Sequence, residues 1–332
     1  MRFGLSVDGG DAPEALRSTV HAADTIGVSS LWIASHLFHR EPVACAAAAL
    51  GASRNVGIVL MAMSPYAVHP VYATMAAATL DEFFPGRVKL CYGVGAPRDL
   101  EAAGIVAEQP LRTLREALEI SRRLLSGEIV NFKGRRYQVA GRRLGTGARP
   151  VPLWLAASGP QMLELAGDIA DGLVISAGAS PAFVRWSLDH VRAGEKRRNR
   201  AIEKASLVFC SVDQNERIAN DRVRRRLAYV LRGQHHARNL ELAGTELDQT
   251  ALAHAFAQED WSRVEALITD DVVRRHCASG TPSQALAALS DYRSAGLDEI
   301  VIHGVQDGDQ VLRMAQLMRP ESAPAPTSST GR

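Results

Sequence analysis

The stretch "ATLDEFFPGRVKLCYGVG" (78–95) decides how this chain should be read. A helix-like run halts at Pro85-Gly86, a strand-like run carrying Val88, Leu90 and Tyr92 follows, and that run ends on Gly93-Val94-Gly95. Proline and glycine cannot continue a helix comfortably, so the pair marks a turn between two elements. Glycine at a strand tip has a different meaning, because it lets something large approach the backbone. Helix, turn, strand and bare tip together form one α/β unit.

Working outward, the same unit recurs along the chain. Strands are expected at "RFGLSV" (2–7), "SLWIAS" (30–35), "VGIVLMA" (56–62), "RVKLCYGV" (87–94), "VPLWLAA" (151–157), "DGLVIS" (171–176), "ASLVFCSV" (205–212) and "EIVIHG" (299–304). Helical spacing of Ala15, Val20, Ala23 and Ile26 with a stop at Gly27, and a helix from Pro282 to Gly296, show what lies between them. Eight strand-helix units predict a closed parallel (β/α)8 TIM-like barrel over residues 1–319. Two insertions interrupt it. Residues 127–150 read as a hairpin and loop, and 213–280 as a helical insertion before the last β/α unit. The second contains "RVRRRLAYVLRGQHHAR" (222–238), read as a solvated basic helix face. Residues 320–332 are rich in Pro, Ser and Thr and are expected to be disordered.

A net charge of +2 with 22% charged residues gives no basic bias toward nucleic acid. Cys45, Cys91, Cys210 and Cys277 form no CxxC pair and read as reduced core residues. The longest apolar run, "VACAAAAL" (43–50), is far below the roughly 20 residues that span a bilayer, and the start lacks a signal-peptide pattern. The expectation is a cytoplasmic protein that acts on a small molecule, without nucleic-acid or membrane partners.

In such a barrel the active site forms where strands end. Those ends are "ASH" (34–36), "LMAMSPY" (60–66), "YGVG" (92–95), "AASGP" (156–160) and "ISAG" (175–178), mostly small residues. They clear floor space for a flat ring, and backbone N–H groups where the next helices begin suit anionic oxygens. "GVGAPRDLEAAG" lacks the GxGxxG spacing of a dinucleotide fold. His36, His39 and Glu41 lie close in sequence, but no other strand end supplies a metal ligand, so no metal is expected. Ser35 beside His36 is no catalytic pair, because adjacent residues seldom face one another.

The motifs "LWIASH", "SPYAVHPVYATMAAATLDEFFPGR", "YGVG", "PLWLAASGPQMLELAGDIADGLVIS" and "SAGLDEIVI" resemble the luciferase-like monooxygenase superfamily from about residue 2 to 318. Within it they resemble the coenzyme F420-dependent branch that includes methylenetetrahydromethanopterin reductase. The resemblance implies a TIM-like barrel with a deazaflavin at the C-terminal strand ends, backed by a non-prolyl cis peptide at Met61-Ala62. It implies hydride transfer to or from a small organic substrate, and a homodimer. It points to His36 as the catalytic proton relay or substrate-orienting group. Cofactor contacts are expected from His36, Met61, Ala62, Ser64, Gly93, Gly95, Ala156, Ala157, Ser158, Gly159, Ser176, Ala177 and Gly178. An FMN monooxygenase and a non-catalytic flavin-binding relative are the alternatives. One departure stands out, since the family usually has Asp before this histidine and here Ser35 replaces it. Asp99 is a candidate proton donor or helix cap, His303 is expected on the pocket floor, and Asp81 with Arg87 is expected as a structural pair.

Overall fold

The computed structural model describes residues 2–305 and 307–318. In chain order the first half runs β1 (Arg2–Val7), α1 (Pro13–Ile26), β2 (Ser30–Ala34), α2 (Pro42–Ala52), β3 (Gly57–Met63), α3 (Pro70–Phe83), β4 (Val88–Tyr92), α4 (Pro97–Ala102), α5 (Pro110–Leu125) and the pair β5 (Val130–Lys133) and β6 (Gln138–Arg142). The second half runs β7 (Leu153–Ala156), α6 (Pro160–Ile169), β8 (Gly172–Ile175), α7 (Pro181–Arg198), β9 (Glu203–Val212), α8 (Glu216–Leu231), α9 (Ala237–Ala243), α10 (Gln249–Ala257), α11 (Trp261–Leu267), α12 (Asp270–His276), β10 (Cys277–Gly280), α13 (Pro282–Ser294), β11 (Glu299–His303) and α14 (Gly308–Leu317). Prolines 13, 42, 70, 97, 110, 160, 181 and 282 each open a helix, where their missing N–H would have no intrahelical partner anyway.

The predicted strands all form. They pair in parallel in the order β11-β1-β2-β3-β4-β7-β8, and β9 pairs with both β8 and β11, which closes the barrel. Sequence reading missed β10, a short parallel partner for the end of β9 inside the predicted insertion. The hairpin of β5 and β6 forms as expected. It buttresses the loop after β3, with Tyr137 donating to the Pro65 carbonyl and Glu116 accepting the N–H groups of Arg135, Arg136 and Tyr137. The expected disordered tail lies outside the described residues.

Alternation along each strand separates two cores. One face packs beneath the helices; the other fills the barrel with Trp32, Val59, Cys91, Trp154, Val174, Leu207, Phe209 and Val301. The rings of Trp32 and Trp154 meet edge to face at 5.2 Å and plug the lower half. Beneath them Glu299, only 1% exposed, accepts from the Ser30 hydroxyl and from Ser29 Oγ at 3.2 Å, so this buried carboxylate has partners.

Two expectations need correction. Asp81 and Arg87 do not pair with one another. Asp81 accepts the Gly86 N–H at 2.9 Å, whereas Arg87 leaves the turn at the foot of β4 and donates to the Val56 carbonyl at the foot of β3 at 2.8 Å. The basic run 222–238 is also not a bare solvated face. Arg222 pairs with Asp213, Arg224 with Asp270 and Asp221, and Arg225 with Glu265, while Arg232 lies over the rings of Tyr229 and Phe256. Asp270, Glu265 and Phe256 come from other helices of the insertion, which sequence spacing did not reveal.

The insertion buries two histidines, and burial holds His236 at about 3 and His276 at about 4, against 6.5 in the unfolded chain. As the pH falls from 6.5 toward 4, the unfolded chain takes up protons that the folded chain refuses. Stability therefore drops over that window, by on the order of 1–2 kcal/mol per histidine at pH 5. Urea unfolding at pH 7.5 and pH 5 measures this loss, and a flat profile would contradict the burial argument.

Candidate active site at the barrel mouth

Above the tryptophan plug the inward positions become small. Two residues beyond Trp32 stands Ala34, beyond Cys91 stands Gly93, beyond Trp154 stands Ala156, and beyond Val174 stands Ser176. Ala62, Ala156, Ala157 and Ser158 are half-buried, and Ser176 and Gly159 are exposed, so the floor of the mouth is open to solvent. Gly159 is the N-cap of α6 without a side-chain cap; Pro160 has no N–H and the Met162 N–H donates to the Gly159 carbonyl at 3.0 Å, so the first turn offers the Gln161 N–H to an acceptor.

The opening glycines now have a local explanation. A methyl group at Gly93 would sit 2.8 Å from Ala62 Cβ and 3.3 Å from Ala156 Cβ. Gly95 has φ +99°, and its methyl would meet Ser64 Oγ at 3.1 Å. Pairing of β3 with β4 shifts register between Leu60 and Met63, and the Met61-Ala62 peptide bond is cis. Both glycines thus yield to the irregular end of β3 before any ligand is considered.

The polar groups of the mouth come in pairs. His36, half-exposed after β2, has its Nδ1 3.6 Å from Asp99 Oδ2, within ion-pair range though longer than a hydrogen bond. Asp99 lies in the first turn of α4, whose N-cap is Ala96, and so faces the histidine without capping the helix. Beside it, His39 Nδ1 lies 2.9 Å from Asp8 Oδ1, and the two imidazoles meet edge to face at 5.6 Å. Burial resists ionisation of Asp8, but the Gly10 N–H, His36 and His39 outweigh it and hold the carboxyl below its usual range. His303, at the tip of β11, packs against Phe209 and shares a 3.0 Å hydrogen bond with Ser6 Oγ. Burial holds it at about 4, so it is neutral near pH 7.

Not every expected contact faces this space. Ser64 is 7% exposed and its hydroxyl donates to the Val94 carbonyl at 2.7 Å, tying β3 to β4. Met61 belongs to the barrel interior. Ala177 and Gly178 are buried, and the Gly178 carbonyl is turned toward the insertion. Gly93 is buried against Ala62 and Ala156, and Gly95 packs against Ser64. His36, Ala62, Ala156, Ala157, Ser158, Gly159 and Ser176 remain at the mouth. Asp8 escaped the sequence reading, although it directly follows the first strand. A crevice of about 670 Å³ at the opposite end of the barrel competes for attention, but Lys89 pairs there with Glu203 and Arg122 with Asp171, which marks a structural network. Among the described residues no group of three or more His, Cys, Asp or Glu is placed to hold a metal.

The luciferase-like monooxygenase family model matches residues 2–299. The chain belongs to this family. Over 331 residues it is 28% identical to the 5,10-methylenetetrahydromethanopterin reductase of Archaeoglobus fulgidus, covering 98% of this chain and 99% of that one. It is 26% identical to the F420-dependent glucose-6-phosphate dehydrogenase of Gordonia bronchialis, over 76% of this chain and 73% of the other. In structure it is similar to the coenzyme F420-dependent tetrahydromethanopterin reductase of Methanopyrus kandleri, with TM-score 0.87, 21% identity and coverage of 95% and 96%.

Gly93→Ala should destabilise the fold by about 1–3 kcal/mol in urea unfolding, because Ala62 and Ala156 already occupy the space. Gly159→Ala, with nothing within 4 Å and no positive φ, should change stability by less than about 0.5 kcal/mol. Equal effects at the two sites would refute this account of the mouth.

Proposed function

We propose that the protein is a coenzyme F420-dependent oxidoreductase that moves hydride between the deazaflavin and a small organic substrate. The carrying observation is the His36–Asp99 pair above a floor of small residues. F420-dependent reductase and dehydrogenase relatives support the choice of cofactor over FMN. The residues fit such a group. Ala62, Ala156 and Ser176 leave room for a planar ring at the strand ends, and the Gln161 N–H in the first turn of α6, beyond Ser158, suits an anionic oxygen. When bound, the deazaflavin supplies two-electron hydride chemistry; the protein supplies orientation and a proton path.

That path runs through this chain's own residues. His36 can take or give a proton at one ring nitrogen while Asp99 faces the other end of the pair at Nδ1. The acid missing at Ser35 is thus met by one from α4, 3.6 Å from His36 Nδ1. Asp8 and His39 add a second pair at the rim, and His36 helps hold the Asp8 carboxyl below its usual range.

Titration of the purified protein should give micromolar binding of F420. Tight FMN binding without F420 binding would reverse the choice of cofactor. With pterin, secondary alcohol and sugar phosphate as trial substrates, His36→Ala should lower kcat on the order of 10²-fold and Asp99→Asn about tenfold. Unaltered turnover in both variants would remove the pair from the mechanism.

We also propose a homodimer. Tyr72, Met75 and Phe83 on α3 are 65%, 47% and 73% exposed. Such an apolar helix face suits a second copy of the chain. Sedimentation velocity should find a dimer at about 10 μM and a monomer for Tyr72→Glu/Met75→Glu, which a monomeric wild type would contradict.

A further inference from the structure

The loop after β8 is held by side chains that come from far away in sequence. Ser176 is exposed at the mouth, and Ala177 to Ser180 dive into the protein. Gly178, at φ +77°, turns its peptide toward the insertion, where Leu227, Val230 and Leu231 surround it. There its carbonyl accepts from Asn239 Nδ2 at 2.8 Å and from His276 Nδ1 at 2.9 Å. Asn239 Oδ1 accepts the Ser180 N–H at 2.9 Å, and Tyr292 on α13 donates its hydroxyl to the Ala179 carbonyl at 2.8 Å. Asn239 and His276 are 0% exposed and Tyr292 is 1% exposed.

The tautomer of His276 follows from its partners. A carbonyl can only accept, so Nδ1 carries the proton and Nε2 accepts from Thr245 Oγ1 at 2.8 Å. Both ring nitrogens are thus used, and burial lowers the ring's pKa to about 4, so it is neutral near pH 7. Asn239 likewise uses its donor and its acceptor on two backbone groups of one loop. Three consecutive residues, Gly178 to Ser180, each have a backbone group bound by a buried side chain of another segment. Ordinary packing of a helical insertion would not require that match.

We infer that Asn239 and His276 are positioning residues for the mouth: from the helical insertion they fix the loop after β8 and thereby the placement of Ser176 beneath the ring-shaped cofactor. The inference rests on the proposed use of the mouth as a deazaflavin site. The insertion is then part of the binding apparatus although none of these side chains reaches the mouth. A loop freed from the two side chains loses the donor set of the Gly178 carbonyl and samples other conformations, most of which present Ser176 wrongly.

The test is F420 titration of the full chain, with amide hydrogen exchange of residues 178–180 and thermal melting alongside. His276→Asn keeps an amide N–H near the place of Nδ1, whereas His276→Leu and Asn239→Leu do not. The two leucine variants should bind F420 about tenfold more weakly and lose amide protection in the loop. His276→Asn should stay within about threefold of wild type, whatever its melting temperature. Unchanged F420 affinity in a leucine variant whose loop amides have lost protection would overturn the inference alone, as would an equal loss in His276→Asn. Wild type that binds neither F420 nor FMN would overturn the reading of the mouth together with it. Wild-type exchange supplies a check independent of any variant: the Ser180 amide should open together with amides of α9 and α12, and much faster independent exchange would sink the proposal.

Discussion

Closure of the parallel barrel is the constraint from which the rest follows. Once β9 pairs with both β8 and β11, every strand must alternate between an interior face and a helix-facing one. A shift of one residue in β2 or β7 would exchange Trp32 or Trp154 with a neighbour meant for the outer core. The two indoles therefore act as a register lock as well as a plug. Because they fill the lower half, the interior residues two positions later stand at the rim, and there Ala34, Ala156 and Ser176 are small enough to leave space. The vacancy at the top is the counterpart of the bulk below.

Electrostatics at that rim follow from the same geometry. Parallel strands send their ends to one face, so Asp8, His36 and His303 converge although they lie far apart in the chain. The short helix α4 adds Asp99 opposite His36. His36 is exposed at the rim, while deeper His303 is held neutral near pH 7 by burial. The insertion closes the other side. It commits its arginines to acids and aromatic rings, and spends buried polar groups on the loop after β8.

Much of this was legible in the residues. Proline at helix starts, β-branched runs and glycine stops marked the units, and eight units implied closure. Strand-end position singled out His36 and the small floor, because a (β/α)8 barrel always puts its loops there. Two things were hidden. Gly93 and Gly95 read as room for a ligand, but their immediate neighbours are Ala62 and Ser64, a contact that depends on how the end of β3 bulges toward β4. Gly178 read as a cofactor contact, yet its carbonyl faces Asn239 and His276. Neither side chain carries a local signal, since a lone Asn and a lone His in a polar helical run have many uses.

The sequence by itself determined the class of fold, the order of its units and the face on which chemistry could occur, because periodicity and turn residues act over a few neighbours. Only the tertiary structure decided which carboxylate meets His36, how the basic helix is neutralised and what holds the loop after β8. Those are contacts between segments tens of residues apart, and their partners are chosen by closure of the barrel and by the path of the insertion, neither of which is encoded in local spacing.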